Sequence, residues 1–356
     1  MSQPVSIGGK YCGGGYPVFI VFEAGPTVAG FESAKQLVQV AAEAGADAIK
    51  FQILDTDRLV GQKDIEITYH VLTGTTGRGT AEVTEPLVAI LRRRELSQTE
   101  WAEVKRHADT WGITFFATVD YPEQLEFVLK LGCHAVKICS GDVTHLAWLT
   151  EVARAGLPTM IDTGMATLGE LEAAADTILA AGAPLLIHHC PSGYPARLTS
   201  INLRMIPMLL DLFPTVPSCF SDHTPGWDMD IAAVALGASM VEKTLTLDRR
   251  TRSPEHIMSL EPSEAGGFVQ AIRDLEVALG QPRRVISDQE ARTKLAARRS
   301  LFLTEDVHHG DPLTSAVVDW RRPGTGISPG AWPYTVRRRV GRDLPKGSMV
   351  TWEDLA

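Results

Sequence analysis

Eight short apolar runs alternate with amphipathic stretches over the first 280 residues. The first run, residues 17–25 (PVFIVFEAG), is apolar without interruption, as a parallel strand covered on both faces requires. The segment after it, residues 31–45, sets Ala34, Leu37, Val38 and Ala41 at helical spacing and stops at Gly45. The second run, ADAIKFQI (residues 46–53), predicts another strand. Residues 54–95 break the rhythm: they are polar and irregular, with a soft stretch LTGTTGRGTAEV, and predict a lid or an embellished second unit. Alternation then resumes with a helix over 97–112, opened by a Ser97-x-x-Glu100 capping box. Strands follow at ITFFATV, CHAVKICSGD, PTMIDTG, PLLIHHC, PTVPSCF and SMVEKTLTL, with helices between them and a last helix, PSEAGGFVQAIRDLEVALG, reaching Gly280. Strand and helix in regular turn predict a closed (β/α)8 barrel over residues 1–282. Residues 283–297 are charged and predict a linker. From Arg298 to the end the texture changes to short strands, arginines and turns such as His309-Gly310, Pro323-Gly324 and Lys346-Gly347, which predict a small β-rich module.

Composition narrows the classes. Of 356 residues, 44% are hydrophobic and 22% charged, enough apolar mass for a sizeable core. A formal net charge of −9 argues against a nucleic-acid binder, although a few local lysines can still make one pocket cationic. No apolar run approaches a membrane span, and the start (MSQPVSIGGK) lacks a signal-peptide core. Cys12, Cys133, Cys139, Cys190 and Cys219 show no CxxC spacing and read as reduced thiols of a cytoplasmic protein.

In a barrel, side chains just past the carboxyl ends of the strands face the mouth where chemistry occurs. The chain sets polar groups at those points. Glu23 ends the first strand, and Lys50 and Gln52 the second. Lys137, Ser140 and Asp142 follow the fourth, and His188, His189, Ser192 and Tyr194 the sixth. The stretch VPSCFSDHTP closes the seventh with Ser221, Asp222, His223 and Thr224. Serine binds anions, aspartate orients an imidazole, and histidine ligates a metal or moves a proton. Two lysines inside apolar strands (AIKF, VKIC) must point into the barrel or be paired, because an isolated buried ammonium is costly.

With these pieces in order, the chain resembles the sialic acid synthase family, the nonulosonate synthases that condense phosphoenolpyruvate with an acylamino-sugar aldehyde. FEAG is similar to that family's AEIG, and AGADAIKFQ to its AGADAVKFQ. KICSGD, TGMATLGELEAA, HHCPSGYP, SDHTPG, AAVALGA and SLEPSE follow in the family's order, and the tail resembles its antifreeze-like (SAF) module, with RRPGTG as the arginine loop. Lys50, Lys137, Ser140 and Ser221 supply the cations and short donors that the anionic phosphoenolpyruvate needs, and the resemblance implies that Asp142 and Ser192 also contact substrate. It implies that Gln52, Tyr194, Glu255 (in SPEHI) and Arg322 hold the sugar. Arg322 would reach the partner's site in a domain-swapped homodimer. Glu23, Asp222 and His223 are the expected catalytic groups. A divalent ion, Mg²⁺ or Mn²⁺, held by His223 would polarise the aldehyde.

The chain also departs from that pattern. The family's second metal-binding histidine, in EKHFT, is Thr244 here, in Glu242-Lys243-Thr244-Leu245, which makes a tight transition-metal site doubtful. Pro26, Thr27 and Val28 stand in place of the family's Asn-His loop, Asp162 where relatives often have serine, and Ser192 where they often have asparagine. An extra carboxylate near a bound anion weakens binding unless it is paired or neutralised. Two expectations follow: a divergent synthase acting on another aldehyde, or a homologue that has lost condensation and binds sugar or serves a structural role in surface-polysaccharide synthesis.

Overall fold

A computed structural model describes residues 2–74 and 79–356; the middle of LTGTTGRGTAEV, residues 75–78, lies outside the described residues. The chain divides into two compact units, Met1–Gly280 and Gln281–Ala356. The first is a closed barrel of eight parallel strands: β1 (Phe19–Glu23), β2 (Ala48–Gln52), β3 (Thr114–Thr118), β4 (Val136–Ile138), β5 (Thr159–Asp162), β6 (Leu185–His189), β7 (Ser218–Asp222) and β8 (Met240–Thr244). Each strand pairs with its sequence neighbours, and β8 closes on β1. The helices that follow them are α1 (Phe31–Glu43), α2 (Gln98–Thr110), α3 (Pro122–Lys130), α4 (Leu146–Arg154), α5 (Leu168–Ala180), α6 (Met205–Leu212), α7 (Asp228–Ala235) and α8 (Pro262–Leu279).

The alternating register of each strand separates two interiors. Outward-facing Ile20, Phe22, Ile49, Phe51, Phe115, Val136 and Ile161 join the core between sheet and helices. There Phe51 lies 5.2 Å from Trp101 of α2 and 5.4 Å from Phe115, and Phe22 lies 5.7 Å from Phe268 of α8. Each such ring contributes about 2–3 kcal/mol by leaving water. Inward-facing Phe19, Val21, Ala48, Phe116, Met160, Leu186, Cys219 and Met240 fill the barrel itself. An N-terminal hairpin, Val5–Ile7 with Lys10–Cys12, adds Val5, Ile7 and Cys12 to that interior and covers the end where the strands begin. Helix starts follow local chemistry: Ser97 and Thr167 accept from the backbone N–H of Glu100 and Glu170, and those carboxylates return the bond.

Residues 54–95 are more regular than their composition predicts. They form two short helices, Thr56–Leu59 and Leu87–Arg92, around an antiparallel hairpin, Glu66–Thr73 with Gly79–Pro86. The expected linker is likewise a helix over most of its length, Asp288–Ala297. Ser287 and Glu290 form its capping box, yet none of its residues is buried. The second unit has a small apolar core that includes Leu301, Leu303, Leu313, Ile327 and Val340 beneath one antiparallel pair, Ser300–Leu303 with Val318–Arg321. Among the described residues, no helix is long and apolar enough to cross a membrane. All five cysteines are free.

Candidate active site

Directly above the apolar layer inside the barrel, the next inward positions are polar. Glu23, Lys50, Lys137, Asp162, His188, Ser221 and Glu242 occupy them, each 8% exposed or less. Strand register brings them together: Glu23 lies opposite Lys50 and Thr244, Ser221 opposite Glu242, and Asp162 opposite His188. Glu242 is the hub. Both its oxygens lie 2.8 Å from Lys137 Nζ; Oε1 also lies 3.0 Å from Lys50 Nζ and accepts from Ser221 Oγ at 3.3 Å. Lys50 also contacts Glu23, and Lys137 lies 2.9 Å from Asp162.

Three carboxyls therefore face two ammonium groups. Burial raises the Glu23 carboxyl to about 7, with the charge of Glu242 adding and Lys50 opposing. Burial likewise raises Asp162 against the pull of Lys137. Burial disfavours charge on Glu242 too, but two flanking lysines win and hold it ionised. Lys50 keeps its proton because its carboxylate neighbours outweigh burial. Among the described residues His188 has no hydrogen-bond partner at either ring nitrogen, and burial and the nearby Lys137 charge keep it neutral.

Short donors ring this centre. A Cβ added at Gly164 would lie 2.5 Å from Ser140 Oγ and 2.6 Å from Ser192 Oγ, so both hydroxyls converge over a bare backbone. Gly25, whose N–H donates to Glu23 Oε1 at 2.6 Å, leaves the same kind of space beside Gln52. Tyr194 is 49% exposed, with its ring edge-on to His223 at 4.9 Å. His223 Nδ1 meets the Pro191 carbonyl at 3.0 Å; a carbonyl only accepts, so Nδ1 carries a proton. Burial opposes charge on the ring, but the Cys190 sulfur, Glu255 and that carbonyl outweigh it and raise the imidazole to about 10, so Nε2 is protonated as well. Glu255, in the loop after β8, stands 3.8 Å from the Arg94 guanidinium.

One expected catalytic residue lies elsewhere. Asp222 does not enter the mouth: with Ser221 facing inward, its neighbour must face the helices. Its carboxylate accepts from Thr224 N and Oγ1 at 3.0 and 2.9 Å and contacts the buried Lys243, which reaches on toward Asp230 of α7 at 3.7 Å. That position suits holding the loop that carries His223, not proton transfer to a substrate. Asp142 groups with Asp120 and Cys139, their ligand atoms all within 4.8 Å of one another. Arg322 belongs to the second unit. Reading the sequence missed Glu242, although it stands two residues past Met240 on the same face, and Arg94, which no local pattern signals.

The donors around His223 do not match a two-imidazole metal site. Thr244 faces inward, 2% exposed, and offers only a hydroxyl. Asp120, Cys139 and Asp142 are the only three-residue ligand grouping among the described residues. There burial and the two carboxylates push the Cys139 thiol up to about 12, where it is protonated and a poor ligand, and burial with Asp142 raises Asp120 to about 7.

Residues 37–284 match the NeuB family and residues 298–356 the SAF domain. The chain is 34% identical to the N,N'-diacetyllegionaminic acid synthase of Legionella pneumophila, covering 95% of this chain and 94% of that protein. It is 30% identical to the human N-acetylneuraminate-9-phosphate synthase, over 97% and 92% of the two chains. A crystal structure of the N-acetylneuraminic acid synthetase from Leptospira borgpetersenii, in complex with citrate, superposes with a TM-score of 0.71 at 28% identity, covering 82% of this chain and 95% of that one. The chain therefore belongs to the NeuB family, the sialic acid synthases, phosphoenolpyruvate-dependent enzymes that form carbon–carbon bonds, and carries a SAF domain behind its barrel.

Proposed function

We propose that this enzyme condenses phosphoenolpyruvate with an acylamino-sugar aldehyde, giving a nonulosonate-type α-keto acid and inorganic phosphate. The observation that carries this reading is the pair of buried ammonium groups, Lys50 and Lys137, held by Glu242 in the layer that also carries Ser221, with the Ser140 and Ser192 hydroxyls converging over Gly164. Two fixed cations and three short donors suit a ligand with both a phosphate and a carboxylate. A member that had lost condensation and kept a structural role would gain nothing from two desolvated lysines.

In the reaction, C3 of phosphoenolpyruvate forms a bond to the aldehyde carbon, and the aldehyde oxygen takes a proton to become a hydroxyl. Water then adds at C2 and loses a proton. The C2–O bond to phosphate breaks, and the electron pair leaves with the phosphate as the ketone forms. Lys50 and Lys137 hold the anion and stabilise the charge on the departing phosphate. Glu23, near 7 and bonded to Gly25 N and Lys50, is suited to take the proton from the water. Gln52, Tyr194 and Glu255 would hold the sugar. The Thr244 hydroxyl does not complete an imidazole pair with His223, so these residues do not fit a two-histidine metal centre. Arg322 of the SAF domain would complete the sugar site of a partner in a homodimer, a reading supported by the RRPGTG resemblance.

Phosphate release from phosphoenolpyruvate, measured with a panel of acylamino-aldoses in Mg²⁺, Mn²⁺ or EDTA, tests the proposal. Aldose-dependent release that Lys137→Met abolishes is expected. Phosphoenolpyruvate binding without release for any aldose under any of these conditions would refute it.

A further inference from the structure

Beside the charged centre the barrel mouth opens into a cavity of about 270 Å³ whose charge the reaction above leaves unused. Its walls come from Pro26 and Val28, just beyond Glu23 at the end of β1, from Arg252, Ser253 and His256 after β8, and from Glu85, Arg93 and Arg94. Arg94 is 7% exposed. Its Nη2 donates to Ser253 Oγ at 2.6 Å, its Nε has no hydrogen-bond partner among the described residues, and the Glu255 carboxylate is 3.8 Å away and beyond hydrogen-bonding distance. A guanidinium stays charged and carries five donors, so burying one this incompletely bonded is costly unless something else binds it.

The neighbours do not supply that partner. Glu85 is already saturated by the Tyr69 hydroxyl, by both terminal nitrogens of Arg93 and by Arg252 at 3.4 Å. Three arginines thus face two carboxylates, and His256 stays neutral, lowered to about 4 by burial and then by Arg94. The cavity is cationic.

We infer that this cavity is the subsite for an anionic substituent, a phosphate monoester or a carboxylate, at the far end of the sugar, with Arg94 and Ser253 as its specificity-determining contacts. The inference rests on the proposed condensation for the placement of the aldehyde end near Glu23 and Lys50. The sugar chain then runs past Pro26 and Glu255, and its terminal group meets the unpaired edge of Arg94. A neutral terminal hydroxyl would leave that guanidinium without a counter-charge.

Three aldoses that differ only at the terminal carbon (hydroxyl, phosphate, carboxylate) distinguish the possibilities. The expected result is that kcat/KM for one charged aldose exceeds that for the neutral one by about a hundredfold, as when a buried polar group loses its partner. Arg94→Gln removes that preference, leaves the neutral aldose and the phosphoenolpyruvate Kd unchanged, and is checked for folding by its thermal midpoint. Arg94→Lys, which keeps the charge, restores part of the preference. Equal use of neutral and charged aldoses, or equal loss for both in Arg94→Gln, would overturn the inference. Calorimetry with the unreactive phosphorylated and carboxylated alditols separates it from the condensation reading. Binding that depends on Arg94 in an enzyme that turns over no aldose upholds the subsite while the reaction assignment falls. Absence of binding by both alditols overturns the subsite.

Discussion

Replacing Asp162 with asparagine should tighten phosphoenolpyruvate binding, most strongly at high pH. Asp162 lies 2.9 Å from Lys137 Nζ on the same inward layer as Glu242, Lys50 and the neutral His188. An anion drawn to Lys137 must therefore approach a third carboxylate. At a separation of roughly 6 Å and an effective dielectric near 20, each pair of unit like charges costs about 2.8 kcal/mol. The wild-type protein can avoid that repulsion by taking up a proton. Burial already raises the Asp162 carboxyl, with Glu242 adding and Lys137 opposing, and a bound anion raises it further. Between those two values binding consumes a proton, so wild-type affinity falls as pH rises. The asparagine side chain has neither the charge nor the proton. The expected gain in affinity for Asp162→Asn is on the order of 30- to 100-fold, about 2–3 kcal/mol, at a pH where the wild-type carboxyl is ionised, and it shrinks as pH falls and that carboxyl takes up its proton.

Calorimetry at pH 6, 7 and 8, in buffers of different ionisation enthalpy, counts the proton directly and cancels the titration of phosphoenolpyruvate itself, which both proteins share. Stability gives a second readout. A carboxyl raised in the folded state stabilises the fold fully below its unfolded value near 4, and that contribution is lost as pH rises through the folded value. The variant should therefore lose part of the wild-type decline in stability across that window. Equal affinity at pH 8, or identical pH slopes in the two proteins, would refute the electrostatic account.

Three further outcomes follow from the same geometry. Lys137→Met leaves Glu242 with Lys50 as its only ammonium partner and Asp162 with none; chemical denaturation should register a loss of about 3–5 kcal/mol, because carboxylates stay buried without compensation. Gly25→Ala puts a Cβ 2.6 Å from Gln52 Cγ and 2.7 Å from the Gln52 backbone nitrogen, so the strand must shift; a stability loss of about 1–3 kcal/mol and a drop in kcat are expected, and an unchanged midpoint would refute the packing argument. Thr244→His supplies a second imidazole on the inward face of β8, and Mn²⁺ binding followed by calorimetry should tighten at least about tenfold over wild type.

How much of this site could be read from the chain depends on one regularity, the twofold period of a strand. Glu23, Lys50, Lys137 and Ser221 were legible as strand-end groups, and each has an apolar residue two positions earlier (Val21, Ala48, Ala135, Cys219) that fills the barrel below it. The same period, applied consistently, excludes Asp222: its inward neighbour Ser221 forces it onto the helix side with Lys243. It also recovers Glu242, since Met240 two positions back lies inside the barrel. Both errors came from reading polarity without parity. The helix over Asp288–Ala297 was legible too, through the Ser287-x-x-Glu290 box, but its high charge suggested a linker. What parity cannot supply is partnership across the chain. Arg94 and Ser253 lie 159 positions apart and meet because the loop after β8 folds over the segment that follows the hairpin. Thr244 marks the boundary between the two kinds of information. Its inward direction follows from Met240 and Glu242, so the lost imidazole is at a position that faces the mouth, where it bears on metal affinity and leaves the fold intact.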